Sequence, residues 1–318
     1  MRLRDVEFGA VWDASGVRSF FGEGYRHHRY LRPFGLRFDG ATFVAKTTTL
    51  DARAGNMPLR NDGITPAAWK PRCIVVQPWH GIVLNAVGLS GPGAAALLAL
   101  NRWQQRTTPF VLSFMSVAAT VEARWRELDS FVHLLAARLP SFRAPVALQM
   151  NFSCPNVGVR HTQVVEEAHV ALGIAAKLKI PLIPKLSVET TIAAAHEIAN
   201  HPLCDALCVS NTIPFGHLPN RIRWQRYFGY RPSPLHEFGG GALSGRPLLP
   251  LVAEWVHAAR AHGIQKPINA GGGILAPRDV DVLHMAGASS VFLGSIAILR
   301  PWRIAKTIAY ANRLRWME

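Results

Sequence analysis

The chain alternates between short, nearly uninterrupted apolar runs and longer stretches in which apolar residues return every three or four positions. The runs are "GAVWDAS" (9–15), "ATFVAK" (41–46), "PFVLSFM" (109–115), "VALQMN" (146–151), "LIPKLS" (182–187), "ALCVSN" (206–211), "PINAGG" (267–272) and "SVFLGS" (290–295). Each predicts a strand, and runs that do not alternate with polar residues suit a parallel sheet covered on both faces. Helices are predicted over 93–105, 121–138, 162–178, 189–200, 246–262, 277–286 and 301–315, with Thr162, Ser187 and Pro277 among the start signals. The connection 16–40 is the weakest helical segment.

Eight such units without an intervening linker predict a TIM (β/α)8 barrel forming one domain over 1–318, with a doubly wound α/β sheet as the alternative. Polar or small residues stand at the C-terminal end of nearly every strand: Ser15, Lys46, Asn151, Lys185, Asn211, Gly272 and Gly294. A closed barrel gathers those ends at one mouth, which favours it. Two stretches read as additions there: a short hairpin within 73–89, and a long βα loop, 213–241, rich in arginine and aromatic residues. Within the loop, Arg221, Arg223, Arg226 and Arg231 interleave with Trp224, Tyr227 and Tyr230. Starting beside Asn211, the stretch 217–231 is expected to close over a substrate or dock an acceptor; a solvated loop and a single-stranded nucleic-acid groove are the alternatives.

Apolar residues make up 49% of the chain and charged ones 17%, enough for a large core and contrary to disorder. No apolar run has the length of a membrane span, and Arg2, Arg4, Asp5 and Glu7 speak against a signal peptide. A cytoplasmic protein without stable membrane insertion is expected. Lys and Arg number 35 against 20 Asp and Glu, a formal charge of +15 that suits nucleic acid, an acidic membrane surface or anionic small ligands without choosing among them. The four cysteines, Cys73, Cys154, Cys204 and Cys208, lack the spacing of a zinc or dithiol motif. No metal site is expected, and Cys73, Cys204 and Cys208 read as reduced core thiols.

The strand ends carry the chemistry. Glycines in "INAGGGI" and "VFLGSIAI" let backbone N–H groups approach a phosphate, or simply make tight turns. Lys46 and Lys185 would point inward, where a buried ammonium needs an anion or a strong acceptor. Carboxylates are scarce at these ends, which favours an anionic ligand. Asn85, Asn151, Asn156 and Asn211 each offer a donor and an acceptor; singly they suit turns, and together they can read a flat ring bearing carbonyls and N–H groups.

Cys154 lies in "NFSCPN" (151–156). That motif, with "DASG" (13–16), "KTTTLDARAGNMPLR" (46–60), "LNAVGL" (84–89), "SNT" (210–212), "GGGALSGRPL" (239–248), "AGGGI" (270–274) and "LGS" (293–295), resembles the dihydroorotate dehydrogenase family, FMN-dependent barrel enzymes of pyrimidine biosynthesis. The resemblance implies a substrate pocket of Lys46, Asn85, Gly88, Leu89, Asn151, Asn156, Asn211 and Thr212, with Cys154 as catalytic base. It places FMN contacts on Ala14, Ser15, Lys46, Thr47, Asn151, Lys185, Gly240, Gly241, Gly272, Gly273, Gly294 and Ser295. The implied reaction oxidises dihydroorotate to orotate: a proton leaves carbon 5 for the base and a hydride leaves carbon 6 for flavin nitrogen 5. A thiol, with an ordinary pKa of about 8.5, suits that base near neutrality.

Within the family a cysteine base marks the soluble members, and the helical extension of the membrane-bound ones is not expected before the first strand here. A homodimer and an electron-transfer partner subunit are compatible with this class; fumarate, NAD through an iron–sulfur flavoprotein, or a quinone could accept the electrons. Departures from the family pattern are the short segment "NVGVRH" after the motif, "LSGPG" (89–93) without the usual asparagine, and the long basic loop. Three other readings stay open: a flavin barrel acting on uncharged dihydropyrimidines, a tRNA dihydrouridine synthase, whose "NxGCP" differs here at Ser153, and a non-catalytic flavin-binding subunit.

Overall fold

In the computed structural model, which describes residues 1–152, 161–229 and 232–317, seven of the eight apolar runs form one parallel sheet. A hairpin of β1 (Arg2–Leu3) and β2 (Val6–Glu7) precedes β3 (Val11–Asp13). There follow α1 (Arg26–Leu31), β4 (Ile74–Gln77), β5 (Ile82–Asn85), α2 (Ala94–Ala99), β6 (Phe110–Phe114), α3 (Val121–Ala136), β7 (Val146–Asn151), α4 (His161–Ala175), β8 (Leu182–Leu186), α5 (Ile192–Asn200) and β9 (Leu207–Val209). Beyond these lie β10 (Ile213–Pro214), α6 (Trp224–Phe228), β11 (Ala242–Gly245), α7 (Leu248–Ala261), β12 (Ile268–Ala270), α8 (Pro277–Met285), β13 (Ser290–Leu293), α9 (Ile296–Leu299) and α10 (Ile304–Ala311).

The sheet runs β3-β13-β12-β9-β8-β7-β6. The eighth run, 41–46, is no ladder strand, yet it closes the ring between the two edges. On one side Thr42 N donates to Val11 O (2.8 Å) and Asp13 N to Thr42 O (2.9 Å); on the other, Val111 N donates to Phe43 O and Ala45 N to Val111 O (both 2.9 Å). Its backbone groups are shared between two neighbours, one or two residues at a time, so the pairing is a set of isolated bridges. Closure in chain order makes a TIM-type barrel and excludes the doubly wound sheet.

Two cores follow from the two-residue period of the strands. Trp12, Val44, Val111, Ala147, Ile183, Cys208 and Phe292 point inward and pack together, with Leu3 and Phe8 of the N-terminal hairpin joining them. Their neighbours, among them Val11, Phe43, Leu112, Leu148, Leu182, Leu207 and Val291, face outward into a second core with the helices. Cys73, Cys204 and Cys208 are buried free thiols, and burial raises the latter two to about 12 and about 11.

Helix starts depart from the sequence reading at two of the three start signals. Thr162 is the second residue of α4 and does not precede it. Ser187 does not open α5; its hydroxyl accepts from Glu189 N within a turn, and Thr191 caps the helix by accepting from Ala194 N at 3.2 Å. The two expected additions at the barrel mouth prove to be one structure. β4 and β5 form the hairpin, and β11 and β10 extend it into a four-stranded antiparallel sheet, β10-β11-β5-β4.

Candidate active site

Two residues beyond the interior core, seven of the eight barrel segments present their next inward position toward the C-terminal mouth: Ala14, Lys46, Ser113, Gln149, Lys185, Ser210 and Gly294, all small or polar, with Asn151 two residues beyond Gln149. Above them opens a cavity of about 990 Å³. Ala14, Ser15, Lys46, Thr47, Asn85, Gly88, Leu89, Asn151, Lys185, Asn211, Thr212, Gly272, Gly273, Gly294 and Ser295 line it together. Cys154 and Asn156 lie outside the described residues.

Gly240 and Gly241 do not reach the cavity. A Cβ on Gly241 would sit 3.0 Å from Asn85 O and 2.9 Å from Leu235 Cδ1, so this glycine lets the turn pack on the backbone of β5. The register of β11 on β5 carries Ser244 and Gly245 to the lining instead.

The loop expected to act as a lid is tied down elsewhere. None of the described residues between 213 and 243 lines the cavity. Trp224 is buried 4.7 Å from the Phe215 ring and donates from Nε1 to His217 O at 2.7 Å, while Arg221 pairs with Glu254 at 2.7 Å. Burial of Trp224 and packing of Phe228 on Phe215 use the aromatic faces that a nucleic-acid groove would need free.

A hydroxyl chain sets the cavity floor. Ser15 Oγ donates to Ala45 O and lies 2.8 Å from Thr47 Oγ1, which lies 2.9 Å from Ser113 Oγ. Asn151 donates from Nδ2 to Ser113 Oγ (2.9 Å) and to Phe114 O (3.0 Å), leaving its carbonyl oxygen for a ligand. Asn85 is oriented likewise, its Nδ2 donating to Ala242 O at 3.3 Å. Asn211 differs: its Nδ2 is buried and has no partner. A buried N–H without an acceptor costs about 1–3 kcal/mol, and an acceptor on a ligand would remove that cost.

Both lysines are buried, and among the described residues no carboxylate offsets either one. Lys46 Nζ donates to Ser90 O and stands 4.5 Å from the Phe20 ring centroid; burial pulls its pKa down to about 8. Lys185 Nζ lies 5.1 Å from the Phe292 ring, and burial lowers its pKa against the opposing pull of Cys208. The glycines keep the wall thin. Gly273, at φ +81°, would put a Cβ 2.7 Å from Leu249 N, and a Cβ on Gly294 would meet that of Ala14 at 3.1 Å. Unpaired cations, an unmatched amide donor, close-approach glycines and this volume together fit a flat, anionic cofactor with a small ring compound beside it.

Sequence reasoning missed part of the wall. Tyr25, the N-cap of α1, and His27 and His28 in its first turn line the cavity. Tyr25 Oη donates to Gly16 O at 2.6 Å, and the two histidine rings meet edge to face at 4.5 Å. Burial, with His27 and Arg18 adding to it, pulls His28 down to about 3 and keeps it neutral near pH 7. The available signal was "YRHHRY" (25–30), a dense aromatic and histidine cluster in a connection without apolar periodicity. Beneath it Asp13 pairs with Arg18, anchoring the turn that carries Ala14 and Ser15; burial still raises Asp13 to about 6.

A TIM-type barrel with a lysine- and amide-lined cavity at its strand ends defines the class of protein. Residues 13–311 match the family model for dihydroorotate dehydrogenase. The chain is 31% identical over 309 residues to the catalytic subunit of dihydroorotate dehydrogenase B (NAD(+)) from Desulforudis audaxviator, covering 94% of this chain and 86% of that one. It is 28% identical over 275 residues to dihydroorotate dehydrogenase A (fumarate) from Lactiplantibacillus plantarum, covering 84% and 79%. The crystal structure of DHODH from Eimeria tenella in complex with ferulenol shares the fold, with a TM-score of 0.65 at 17% identity over 96% of this chain and 81% of that one. The chain belongs to the dihydroorotate dehydrogenase family, whose members are FMN-dependent oxidoreductases.

Proposed function

We propose that this protein oxidises dihydroorotate to orotate, with Cys154 as the general base. The observation that carries the reading is the convergence of Lys46, Asn85, Asn151 and Asn211 on one cavity. Dihydroorotate combines a carboxylate with a ring of alternating carbonyl and N–H groups. Lys46 complements the carboxylate, while the carbonyl oxygens of Asn85 and Asn151 and the free Nδ2 of Asn211 complement the ring. Asn156 joins them in this proposal.

FMN would be held by Ala14, Ser15, Thr47, Lys185 and the backbone of Gly272, Gly273, Gly294 and Ser295, with Ser244 and Gly245 in place of Gly240 and Gly241. When bound, it supplies a two-electron acceptor for the hydride from carbon 6. The chain's own work is orientation and proton transfer. The Ser15–Thr47–Ser113 chain holds the Asn151 amide in one orientation, so the ring is bound in a single pose. Cys154, as thiolate, takes the proton from carbon 5 and returns it to solvent.

Anaerobic titration of the FMN-loaded protein tests the substrate: dihydroorotate should bleach the flavin absorbance. Bleaching by dihydrouracil and not by dihydroorotate would overturn the assignment in favour of an uncharged ring. For the acceptor, "LSG" (243–245) favours NAD(+) reached through a second subunit; rapid reoxidation of the prereduced protein by fumarate alone would sink that part.

A further inference from the structure

Five aromatic side chains of Phe, Tyr or Trp are exposed among the described residues: Tyr30, Phe34, Trp69, Trp79 and Trp302. They come from three distant parts of the chain, yet contacts join them into one rim beside the cavity mouth. Trp69 lines the mouth and lies 5.6 Å from the Tyr30 ring. Phe34 precedes Gly35, which backs so closely on Trp302 that a Cβ there would lie 2.8 Å from Trp302 O. Arg300 sits 5.8 Å from the Trp302 ring and donates to Pro78 O at 3.1 Å, next to Trp79 at the β4–β5 turn. Trp79 is 96% exposed, an extreme value for an indole on a protein that gains nothing from showing it to water.

The charge around this rim is mainly positive, with Glu237 standing against it in an ion pair with Arg72 at 2.8 Å. Segments 24–38, 66–81 and 296–317 supply the rim, and they carry four, two and five lysines or arginines with no aspartate or glutamate. Arg29, Arg32, Lys70 and Arg303 are exposed among the aromatics. A shallow cleft lined by Arg278, Arg303, Lys306 and Trp302 adjoins, its neighbour Asp281 accepting from Tyr310 Oη at 2.7 Å. Protruding tryptophans interleaved with arginines match the interface of an anionic bilayer, where indoles sit at headgroup level and cations face phosphates. No helix of the described residues is long and apolar enough to cross a membrane, so the contact is with the surface.

We infer that this rim docks the protein, cavity mouth first, on anionic phospholipid membranes. The inference is independent of which substrate the cavity takes. The FMN-loaded full chain should float with vesicles of phosphatidylglycerol and phosphatidylcholine but not with phosphatidylcholine alone, and salt should release it. Brominated acyl chains should quench tryptophan fluorescence, and Trp79→Ala with Trp302→Ala should remove that quenching. Reversal of Arg29, Arg32 and Arg303 to Glu should weaken partitioning by at least about fivefold per site. The control pair Arg138→Glu and Arg143→Glu, exposed just before β7 at the far end of the barrel, should change it little.

Absence of flotation at low salt overturns the proposal. So does equal weakening by both sets of reversals, which would mean general basicity, or flotation without quenching, which would mean adsorption away from the rim. Rim variants that keep vesicle binding but lose a defined protein complex would hand this face to a protein partner instead.

Discussion

Replacing Lys46 by methionine separates what the lysine does for a ligand from what it does for the fold. Methionine keeps the length of the side chain and removes the charge. Burial lowers the amine from 10.5 to about 8. At about 1.4 kcal/mol per unit, carrying the charge at pH 7 costs the ligand-free fold about 3 kcal/mol. Against this stand the donation to Ser90 O, about 1.5–3 kcal/mol for a charged donor, and the contact with the Phe20 ring, about 0.5–2 kcal/mol. These contributions nearly cancel, so urea unfolding of the ligand-free variant should fall within about 1 kcal/mol of wild type. Orotate affinity should nonetheless drop about ten- to a hundredfold, because the anion loses its charged donor.

The pH dependence has a definite sign. The folded-state pKa lies below the unfolded one, so the native protein loses its proton first and the unfolded chain holds more protons between about pH 8 and pH 10.5. This group's contribution to the stability of the ligand-free wild type therefore rises with pH across that window, by up to about 3 kcal/mol, and the methionine variant lacks the rise. A variant several kcal/mol less stable without ligand, or one with the wild-type slope above pH 8, would show that Lys46 is a structural residue and refute the reasoning.

Three further outcomes are expected. Cys154→Ala should slow anaerobic flavin reduction by about 10²–10⁴ while FMN stays bound, and unchanged stopped-flow traces would remove this thiol from the mechanism. Ser113→Ala breaks the link between Thr47 and Asn151 and should lower kcat/KM about tenfold; an unchanged value would mean that the Phe114 carbonyl orients the amide alone. Trp224→Ala should destabilise the fold by about 3–5 kcal/mol in thermal or chemical unfolding yet leave flavin reduction intact where the protein is folded, whereas slower reduction would restore the lid role to its loop.

Much of the fold was legible in the apolar pattern because a strand buried on both faces has no reason to alternate with polar residues. The run 41–46 was marked as a strand for that reason, but its division between two neighbours was invisible, since local sequence does not say which partner takes each N–H. Thr191 rather than Ser187 caps α5 because the chain makes an extra turn after β8, and both residue types satisfy a cap equally well on paper.

For the site, sequence alone determined that lysines, amides and glycines end the strands, and hence that the two inward ammonium groups need an anion or a strong acceptor. Tertiary structure decided which of them share one cavity. Asn85 donates to Ala242, 157 residues away, and the register between β5 and β11 brings Ser244 and Gly245 to the lining while Gly240 and Gly241 turn aside. It also folded the loop's tryptophan inward and set Tyr25, His27 and His28 in the wall. Periodicity reports how each segment divides between core and solvent, but a pairing between distant segments leaves no period in either one, so only the closed barrel could settle it.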